Sequence, residues 1–436
     1  MSRDFKYYAK ELLNIALPII MGNLGFILIG AGDVLIAGRH STDTLAAVSI
    51  ANAILNSVFI FGIGLISSIT PILSNIRGEG GSAAKYFYPT LRFSIVVSLF
   101  ITLVVWMIIP LVDFLGFEDH LLKPIKDYML VTSFASLFVF LHGGLKEFLQ
   151  AHEIVFFPNL ITILCVFLNI VLNIMFVFGF GIIPAMGAVG LAVASLIVRM
   201  VMGLVLLIYC YIIMTFKNHV DREYYKNIFK IGLPISFAIM IEFVAFNSIA
   251  IIMGRVSGVY AAAQNLVTTL TTVSFMIPLA ISNAIAVKVG FANGAHNIPD
   301  LKKYAFVGTV ISVGFMLCSS VVFTLLPEFL VKLFTEDNML IKISVPIMYV
   351  LAIFQVFDGL QISYTGIFKG IKKTNIIMLI NLIAYWFISL PLGYILAFKY
   401  NMGLMGFWYG LIAAAVVLCS MLTLFLRHYL KKVYSC

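Results

Sequence analysis

Residues 228–254 read IFKIGLPISFAIMIEFVAFNSIAIIMG, an apolar run with a single acid, Glu242, near its middle. A helix needs about 20 predominantly apolar residues to cross a hydrocarbon core, and this run is long enough to do so. Similar runs lie near residues 12–38, 45–75, 92–115, 127–151, 156–179, 187–215, 260–289, 304–334, 342–369, 375–399 and 404–430. The sequence therefore predicts twelve transmembrane helices.

Composition leads to the same class of protein. The chain has 436 residues, of which 62% are hydrophobic and 11% are charged, whereas soluble domains carry about 25% charged residues. A transmembrane β-barrel needs alternating segments of about ten residues, and the runs here are longer and continuously apolar. Because lipid offers no partner to backbone N–H and C=O groups, helices are the remaining solution. We expect an all-α integral membrane protein.

The positive charges predict the topology. The net charge is +9, but the basic residues occur as short groups between the spans, as at Lys6 and Lys10, Lys226 and Lys230, and Arg427. This distribution is typical of cytoplasmic segments under the positive-inside rule and not of a nucleic-acid-binding patch. We expect both termini to be cytoplasmic and no nucleic-acid partner.

The two halves of the chain repeat each other at one constant offset. The matched residues are Leu17-Pro18 with Leu233-Pro234, Gly38-Arg39 with Gly254-Arg255, Gly187 with Gly403, Gly190 with Gly406, and Ala194 with Gly410. Six helices per repeat preserve orientation, so the repeats are parallel. We predict two six-helix lobes, residues 1–215 and 231–436, joined by a charged cytoplasmic linker at residues 216–230 that contains Asn218 and His219.

Two acids lie within predicted spans of the second lobe. Glu242 is near the middle of the seventh helix and Asp358 near the middle of the tenth. An ionisable group at the bilayer centre costs about 3 kcal/mol or more unless it is compensated, so such residues indicate function. The two carboxylates are predicted to bind a cation, either H⁺ or Na⁺, since hard cations prefer oxygen ligands. The alternative is that each acid merely ties helices together through hydrogen bonds.

Polar side chains extend this prediction to neighbouring helices. Gln355, Gln361 and Thr365 follow helical spacing around Asp358, and Asn265 and Thr269 do the same on the eighth helix. We therefore predict a polar cavity in the second lobe, lined by the seventh, eighth and tenth helices.

The first lobe offers a second candidate site. Asp33 follows two glycines in the outer part of the first helix, and Asn169 and Asn173 stand one turn apart on the fifth. Asp33 and Asn173 are possible ligands of a cation or substrate, and interhelical hydrogen bonding is the other interpretation. Arg199, in the sixth helix, has no obvious partner, and snorkelling explains it as well as a cavity role does.

The sequence contains no pattern for enzymatic chemistry. Walker-type, HExxH and GxSxG motifs are absent, and the five cysteines are scattered singly. We expect no enzymatic activity, no catalytic residues and no cofactor. A membrane-embedded transferase remains the rival of another class, with His40, His120 and His152 as interfacial candidates.

Several short motifs together resemble one transporter family. They are Leu17-Pro18, Asp33, Gly38, Leu149-Gln150, Pro158 and Asn173 in the first half, and Gly232-Leu-Pro234, Glu242, Gln264-Asn265, Pro278, Phe357-Asp358-Gly-Leu-Gln361, Gly366, Lys369-Gly370, and Tyr385 to Pro391-Leu-Gly393 in the second. This set resembles the multidrug and toxic compound extrusion (MATE) family, in its bacterial NorM-like branch. Ala263, Lys369 and Lys373 depart from the family pattern.

The resemblance implies a V-shaped pair of six-helix lobes and a function. It implies an antiporter of the bacterial inner membrane that exports organic, often cationic, drugs or toxic compounds in exchange for Na⁺ or H⁺. Glu242 and Asp358 would hold the ion, as metal ligands if that ion is Na⁺. Gln264, Asn265 and Gln361 are possible ligands of the cation or of the substrate. We expect a monomer in the lipid bilayer with small-molecule substrates. The alternative is a flippase of lipid-linked oligosaccharide or other lipid precursors from the same superfamily.

Overall fold

The computed structural model describes residues 4–214, 216 and 221–434. Asn218 and His219 of the predicted linker lie outside the described residues. Within the described chain, twelve helices are long and apolar enough to cross a membrane. The prediction of an all-α protein with twelve transmembrane helices is confirmed.

The first six membrane helices are numbered here in chain order. They are α1 (Phe5–His40), α2 (Thr42–Gly78), α3 (Ala83–Leu115), α4 (Asp119–Ala151), α5 (Phe156–Phe178) and α6 (Gly187–Ile213). The α-helical hydrogen bonding of α2 is interrupted at Ser67 and Ser68, and α3 begins and ends in 3₁₀ turns.

The second six helices follow the same order. They are α7 (Arg222–Gly254), α8 (Gly258–Gly294), α9 (Ile298–Leu325), α10 (Asn338–Gly370), α11 (Thr374–Lys399) and α12 (Leu404–Tyr434). A short helix, Pro327–Lys332, joins α9 to α10.

Residues matched by the repeat have the same structural role in both halves. Ser41 and Ser257 are the N-caps of α2 and α8, and each side chain accepts a hydrogen bond from a backbone N–H of the first turn. Gly187 and Gly403 precede or begin α6 and α12 with φ values of 54° and 55°, a conformation that favours glycine. The repeat is therefore a repeat of local backbone structure and not a chance match of glycines.

A second pair of repeated glycines allows close helix packing. A Cβ atom on Gly190 would lie 2.5 Å from the Phe176 carbonyl oxygen, and one on Gly406 would lie 2.5 Å from the Ala397 backbone nitrogen. Any side chain at these positions would force α6 away from α5, or α12 away from α11.

Contacts divide the chain into two compact units. The N-terminal unit is Pro18–Ser236, and the C-terminal unit combines Met1–Leu17 with Phe237–Cys436. Both boundaries lie inside a helix, α1 and α7 respectively, next to a proline that lacks the N–H of a regular helix. The predicted lobes, residues 1–215 and 231–436, were instead divided between helices, with all of α1 in the first lobe. These lobe boundaries stay a prediction.

Polar contacts explain why the start of α1 belongs to the C-terminal unit. Lys288 Nζ on α8 donates to Glu11 Oε2 at 2.6 Å, and the Lys288 side chain is 8% exposed. The Tyr8 hydroxyl donates to Asp300 Oδ1 on α9 at 2.5 Å. These contacts secure the first turns of α1 against α8 and α9.

The start of α7 is held in the N-terminal unit in the same way. The hydroxyls of Tyr224 and Thr90 share a buried hydrogen bond of 2.7 Å. Ser236 Oγ donates to the Phe61 carbonyl oxygen on α2 at 2.8 Å. Each half of the repeat therefore places the first turns of its first helix in the other unit.

Candidate functional site

The geometry of the site begins with an irregular helix, α11. Residues Ile383–Ser389 and Ile395–Lys399 form π-helical turns on either side of a short α-helical segment that contains Pro391. Proline cannot donate the backbone hydrogen bond of a regular helix, and wide turns of this kind occur often at functional sites. Tyr385 lies in the first π-helical segment and is 2% exposed.

Tyr385 connects two of the predicted site residues. Its hydroxyl lies 3.0 Å from Glu242 Oε1 on α7, to which it can donate, and 3.3 Å from Gln361 Oε1 on α10. Gln361 Nε2 donates to the same hydroxyl at 3.0 Å. One phenol group thus joins a carboxylate and an amide from two other helices.

Asp358 is buried beside this group. It is 3% exposed and interacts electrostatically with Glu242 and with Tyr385. Among the described residues it has no hydrogen-bond partner and no ion pair, which sets it apart from Glu242. A carboxylate buried without a partner must be neutralised, because burying an isolated charge is strongly unfavourable.

Other polar residues near the predicted cavity are engaged elsewhere. Gln264 is 1% exposed and accepts a 3.0 Å hydrogen bond from Trp408 Nε1 through Oε1, while its Nε2 has no partner. Gln355 donates to Ser274 Oγ at 2.7 Å. Asn265 is exposed, and among the described residues its side chain forms no hydrogen bond to Glu242 or Asp358. Its role as an ion ligand stays a prediction.

Asp33 forms a separate site in the N-terminal unit. It is 6% exposed, and its Oδ1 accepts from Asn173 Nδ2 at 2.6 Å. Ser195 Oγ on α6 donates to Oδ2 at 3.3 Å. Asn173 also contacts Asn169 at 3.1 Å. The structure therefore brings Asp33 and Asn173 together, and Ser195 is a third member of this group.

Sequence reasoning missed three side chains at these sites. Tyr385 was noticed as part of a motif but was given no role, and Ser195 and Trp408 were not considered. A lone tyrosine, serine or tryptophan in a span carries no charge pattern, and only packing shows which acid or amide it meets.

The C-terminal site can hold a single small cation. Its oxygen donors are two carboxylates, one amide and one phenol, all of which suit a hard ion or a proton. Within the described residues no cluster of three or more His, Cys, Asp and Glu side chains has metal-binding geometry.

Comparison with known proteins gives one family. The family model described as MatE matches residues 18–175 and 234–395. The two matched segments correspond to the two halves of the chain.

Curated relatives align over nearly the whole length. The chain is 26% identical over 433 residues to the multidrug resistance protein NorM of Aliivibrio fischeri, covering 95% of this chain and 94% of that protein. It is 28% identical over 437 residues to a probable multidrug resistance protein NorM of Mesorhizobium japonicum, with coverage of 96% and 94%.

Solved structures show the same fold. A mutant of the Vibrio cholerae MATE transporter VcmN matches with a TM-score of 0.91 and 17% identity, covering 98% of each chain. The eukaryotic MATE transporter AtDTX14 matches with a TM-score of 0.87 and 19% identity, covering 97% of this chain and 96% of that one.

Proposed function

Since this chain belongs to the MatE family, we propose that it is a secondary active antiporter that exports organic, often cationic, drugs or toxic compounds in exchange for Na⁺ or H⁺. The relatives that it matches over most of its length are named as multidrug resistance proteins. The flippase alternative is not favoured by these relatives.

One observation carries the proposal. Glu242 and Asp358 are two acids in membrane-spanning helices of one unit, and of the two only Glu242 has a hydrogen-bond donor among the described residues. An arriving Na⁺ or H⁺ neutralises the charge that the protein leaves uncompensated at Asp358. Neutralisation then changes the free energy of the site, which is the requirement for coupling ion entry to a conformational change.

Each side chain has a distinct role in this mechanism. Asp358 is the principal ion ligand, and Glu242 adds a second negative charge. The Tyr385 hydroxyl orients Glu242, and the Gln361 amide orients Tyr385 in turn. Oxygen atoms from all four groups would serve as ligands of Na⁺, and one carboxylate alone suffices for H⁺.

The driving force is sufficient for export. One charge crossing the membrane provides about 2.3 kcal/mol per 100 mV, before any concentration gradient is added. Asp33, with Asn173, is a second candidate site for a cation or substrate in the N-terminal unit, supported by their 2.6 Å hydrogen bond.

The setting follows from the helices and the relatives. This is a multi-pass membrane protein, and its bacterial relatives support the cytoplasmic membrane. Both termini are placed in the cytoplasm by the distribution of Lys and Arg, and the protein works as a monomer with small organic substrates.

The test is transport by purified protein in proteoliposomes. Ethidium efflux is followed by fluorescence under an imposed Na⁺ gradient at fixed pH, under a pH gradient without Na⁺, and with choline replacing Na⁺. Dye movement that requires one of these gradients is expected. Dye movement at the same rate with and without both gradients would contradict the antiport proposal. So would dye movement that appears only after lipid-linked precursors are added.

A further inference from the structure

The N-terminal unit contains a group of basic side chains that the cation mechanism does not use. His142 and Lys146 stand one turn apart on α4, and Arg199 lies on α6. All three surround one aromatic ring, that of Phe26 on α1. Cationic side chains within membrane spans almost always face the interior of the bundle or a water-filled cavity, so the group needs an explanation.

The distances show that the grouping is tight. Arg199 Cζ lies 4.8 Å from the centroid of the Phe26 ring, and Lys146 Nζ lies 5.8 Å from the same centroid. The His142 ring centroid is 6.2 Å from it. Three helices thus converge on one phenyl ring, and a cation over an aromatic face is attracted to it.

The positive charges are not balanced by ion pairs. Among the described residues, neither Arg199 nor Lys146 has a carboxylate within salt-bridge distance. Asp33 interacts electrostatically with Arg199, and Glu147 with Lys146, but neither acid forms a salt bridge to them. Both acids accept hydrogen bonds from other groups, Asp33 from Asn173 and Ser195, and Glu147 from Thr70 Oγ1. Two cations without an ion pair in a membrane-spanning bundle favour binding of an anion.

A second observation also points to a ligand. His142 is 3% exposed, and its Nε2 is a buried polar atom without a hydrogen-bond partner in the described part of the chain. Buried polar atoms are nearly always paired. An oxygen-rich ligand could form a hydrogen bond with this imidazole nitrogen and also interact with the two cations.

We propose that Arg199, Lys146 and His142, gathered around Phe26, form a binding site for the anionic group of an aromatic export substrate, most simply a carboxylate. This proposal rests on the proposed export function, because it names a chemical class of its cargo. The guanidinium and ammonium groups bind the carboxylate, and the Phe26 ring contacts the aromatic part of the substrate. A lipid headgroup could bring the same anionic chemistry, and the experiment separates the two sources.

The experiment measures equilibrium binding to the purified full-length protein in nanodiscs of phosphatidylcholine. The probe is naphthalene carboxylate, and the neutral control is naphthalene carboxamide. We expect the carboxylate to bind at least about tenfold more tightly than the carboxamide, because only the carboxylate carries a charge that pairs with Arg199 and Lys146. Equal binding of the two compounds overturns the proposal.

Variants assign the binding to these side chains. Arg199→Gln and Lys146→Gln should each weaken carboxylate binding by about tenfold or more. Arg199→Lys keeps the positive charge but not the planar guanidinium, so it should weaken binding less than Arg199→Gln does. Lys373→Gln is the matched control, because Lys373 also lies over an aromatic ring, that of Tyr429 at 5.8 Å, but in the other unit. If Arg199→Gln does not fold, Lys146→Gln provides the test. Unchanged binding in Lys146→Gln overturns the proposal.

Two further experiments distinguish this proposal from lipid binding and from a failure of antiport. Nanodiscs that contain phosphatidylglycerol should leave carboxylate binding intact, and displacement by this lipid would assign the site to a headgroup and overturn the cargo assignment. Equilibrium binding of the carboxylate needs no ion gradient, so a failure of the antiport mechanism is read separately from a failure of this site. In proteoliposomes, Arg199→Gln should slow efflux of the carboxylate but not of ethidium, and equal losses would indicate only a structural role.

Discussion

Asp358 in the C-terminal unit and Asp33 in the N-terminal unit are both buried acids within membrane-spanning helices, but their surroundings differ. Asp33 accepts hydrogen bonds from Asn173 and Ser195 and lies near Arg199, with which it interacts electrostatically. Asp358 has no such donor among the described residues, and the charged group with which it interacts electrostatically is another acid, Glu242. The protein stabilises one carboxylate by itself and leaves the other to be neutralised from outside.

Under the proposed mechanism, this difference distinguishes the acid that binds the coupling ion, Asp358, from an acid that the protein itself stabilises, Asp33. Donors and a nearby cation stabilise a carboxylate without any ligand, whereas two acids close together in a membrane cannot both remain charged without a counter-ion. The coupling ion is therefore expected to act mainly in the C-terminal unit. Four substitutions test this comparison, in order of decreasing expected effect.

Asp358→Asn should reduce gradient-driven efflux by about 100-fold. The charge that attracts the cation would be lost, and a compensated charge at this depth is worth about 3 kcal/mol. The measurement is the initial rate of ethidium efflux from proteoliposomes. Asp337→Asn, at the exposed N-cap of the same helix, is the control and should transport normally. Efflux by Asp358→Asn at the wild-type rate would show that Asp358 does not bind the coupling ion.

Glu242→Gln should raise the ion concentration needed for half-maximal transport by about tenfold. Gln keeps an oxygen that accepts from Tyr385 but removes one of the two charges, which is worth about 1.4 kcal/mol at a partly screened site. The measurement is the dependence of efflux rate on the coupling ion. Glu223→Gln, on the same helix but exposed, should match the wild type. An unchanged ion dependence in Glu242→Gln would mean that Asp358 binds the ion alone.

Tyr385→Phe should weaken ion binding by about fivefold. The hydroxyl joins Glu242 to Gln361, and a lost hydrogen bond of this kind is worth about 1 kcal/mol. The same ion titration measures the effect, and Tyr394→Phe, which is exposed on the same irregular helix, is the control. Equal effects of the two substitutions would show that Tyr385 does not position Glu242.

Asp33→Asn should have the smallest effect, a reduction of efflux by about threefold or less. The Asn oxygen can still accept from Asn173, so the hydrogen bond between α1 and α5 is kept. Asp43→Asn, exposed near the start of α2, is the control. A loss as large as that of Asp358→Asn would mean that both units bind the coupling ion.

The fold was largely predictable because lipid imposes simple rules. Every backbone group in the hydrocarbon must be paired within a helix, so a long apolar run predicts a span. The repeat was also visible, and Gly187 and Gly403 explain why: both positions need a positive φ, which a sequence can only provide with a residue such as glycine. Helix ends were less predictable, since α1 extends to Phe5, well before the apolar run near residue 12.

The candidate sites were predictable only in part. Charge within a span marked Glu242, Asp358 and Asp33, because ionisable groups are rare there. The polar stripe of the eighth helix identified no site, since Asn265 and Thr269 are exposed and the Thr269 hydroxyl donates to the Asn265 carbonyl oxygen of the same helix. Serine, threonine and asparagine side chains often form hydrogen bonds to backbone groups of their own helix. Their spacing alone therefore does not identify a cavity.

The sequence by itself determined the class of the protein, the number of helices, the repeat and the identity of the rare buried acids. Each of these follows from hydropathy, charge or backbone conformation, which act locally along the chain. Only the tertiary structure decided that Tyr385 joins Glu242 to Gln361, that Asp33 has its own donors, and that Arg199 and Lys146 share the ring of Phe26. Those partners are far apart in the chain, and short-range forces between side chains depend on packing that no local pattern encodes.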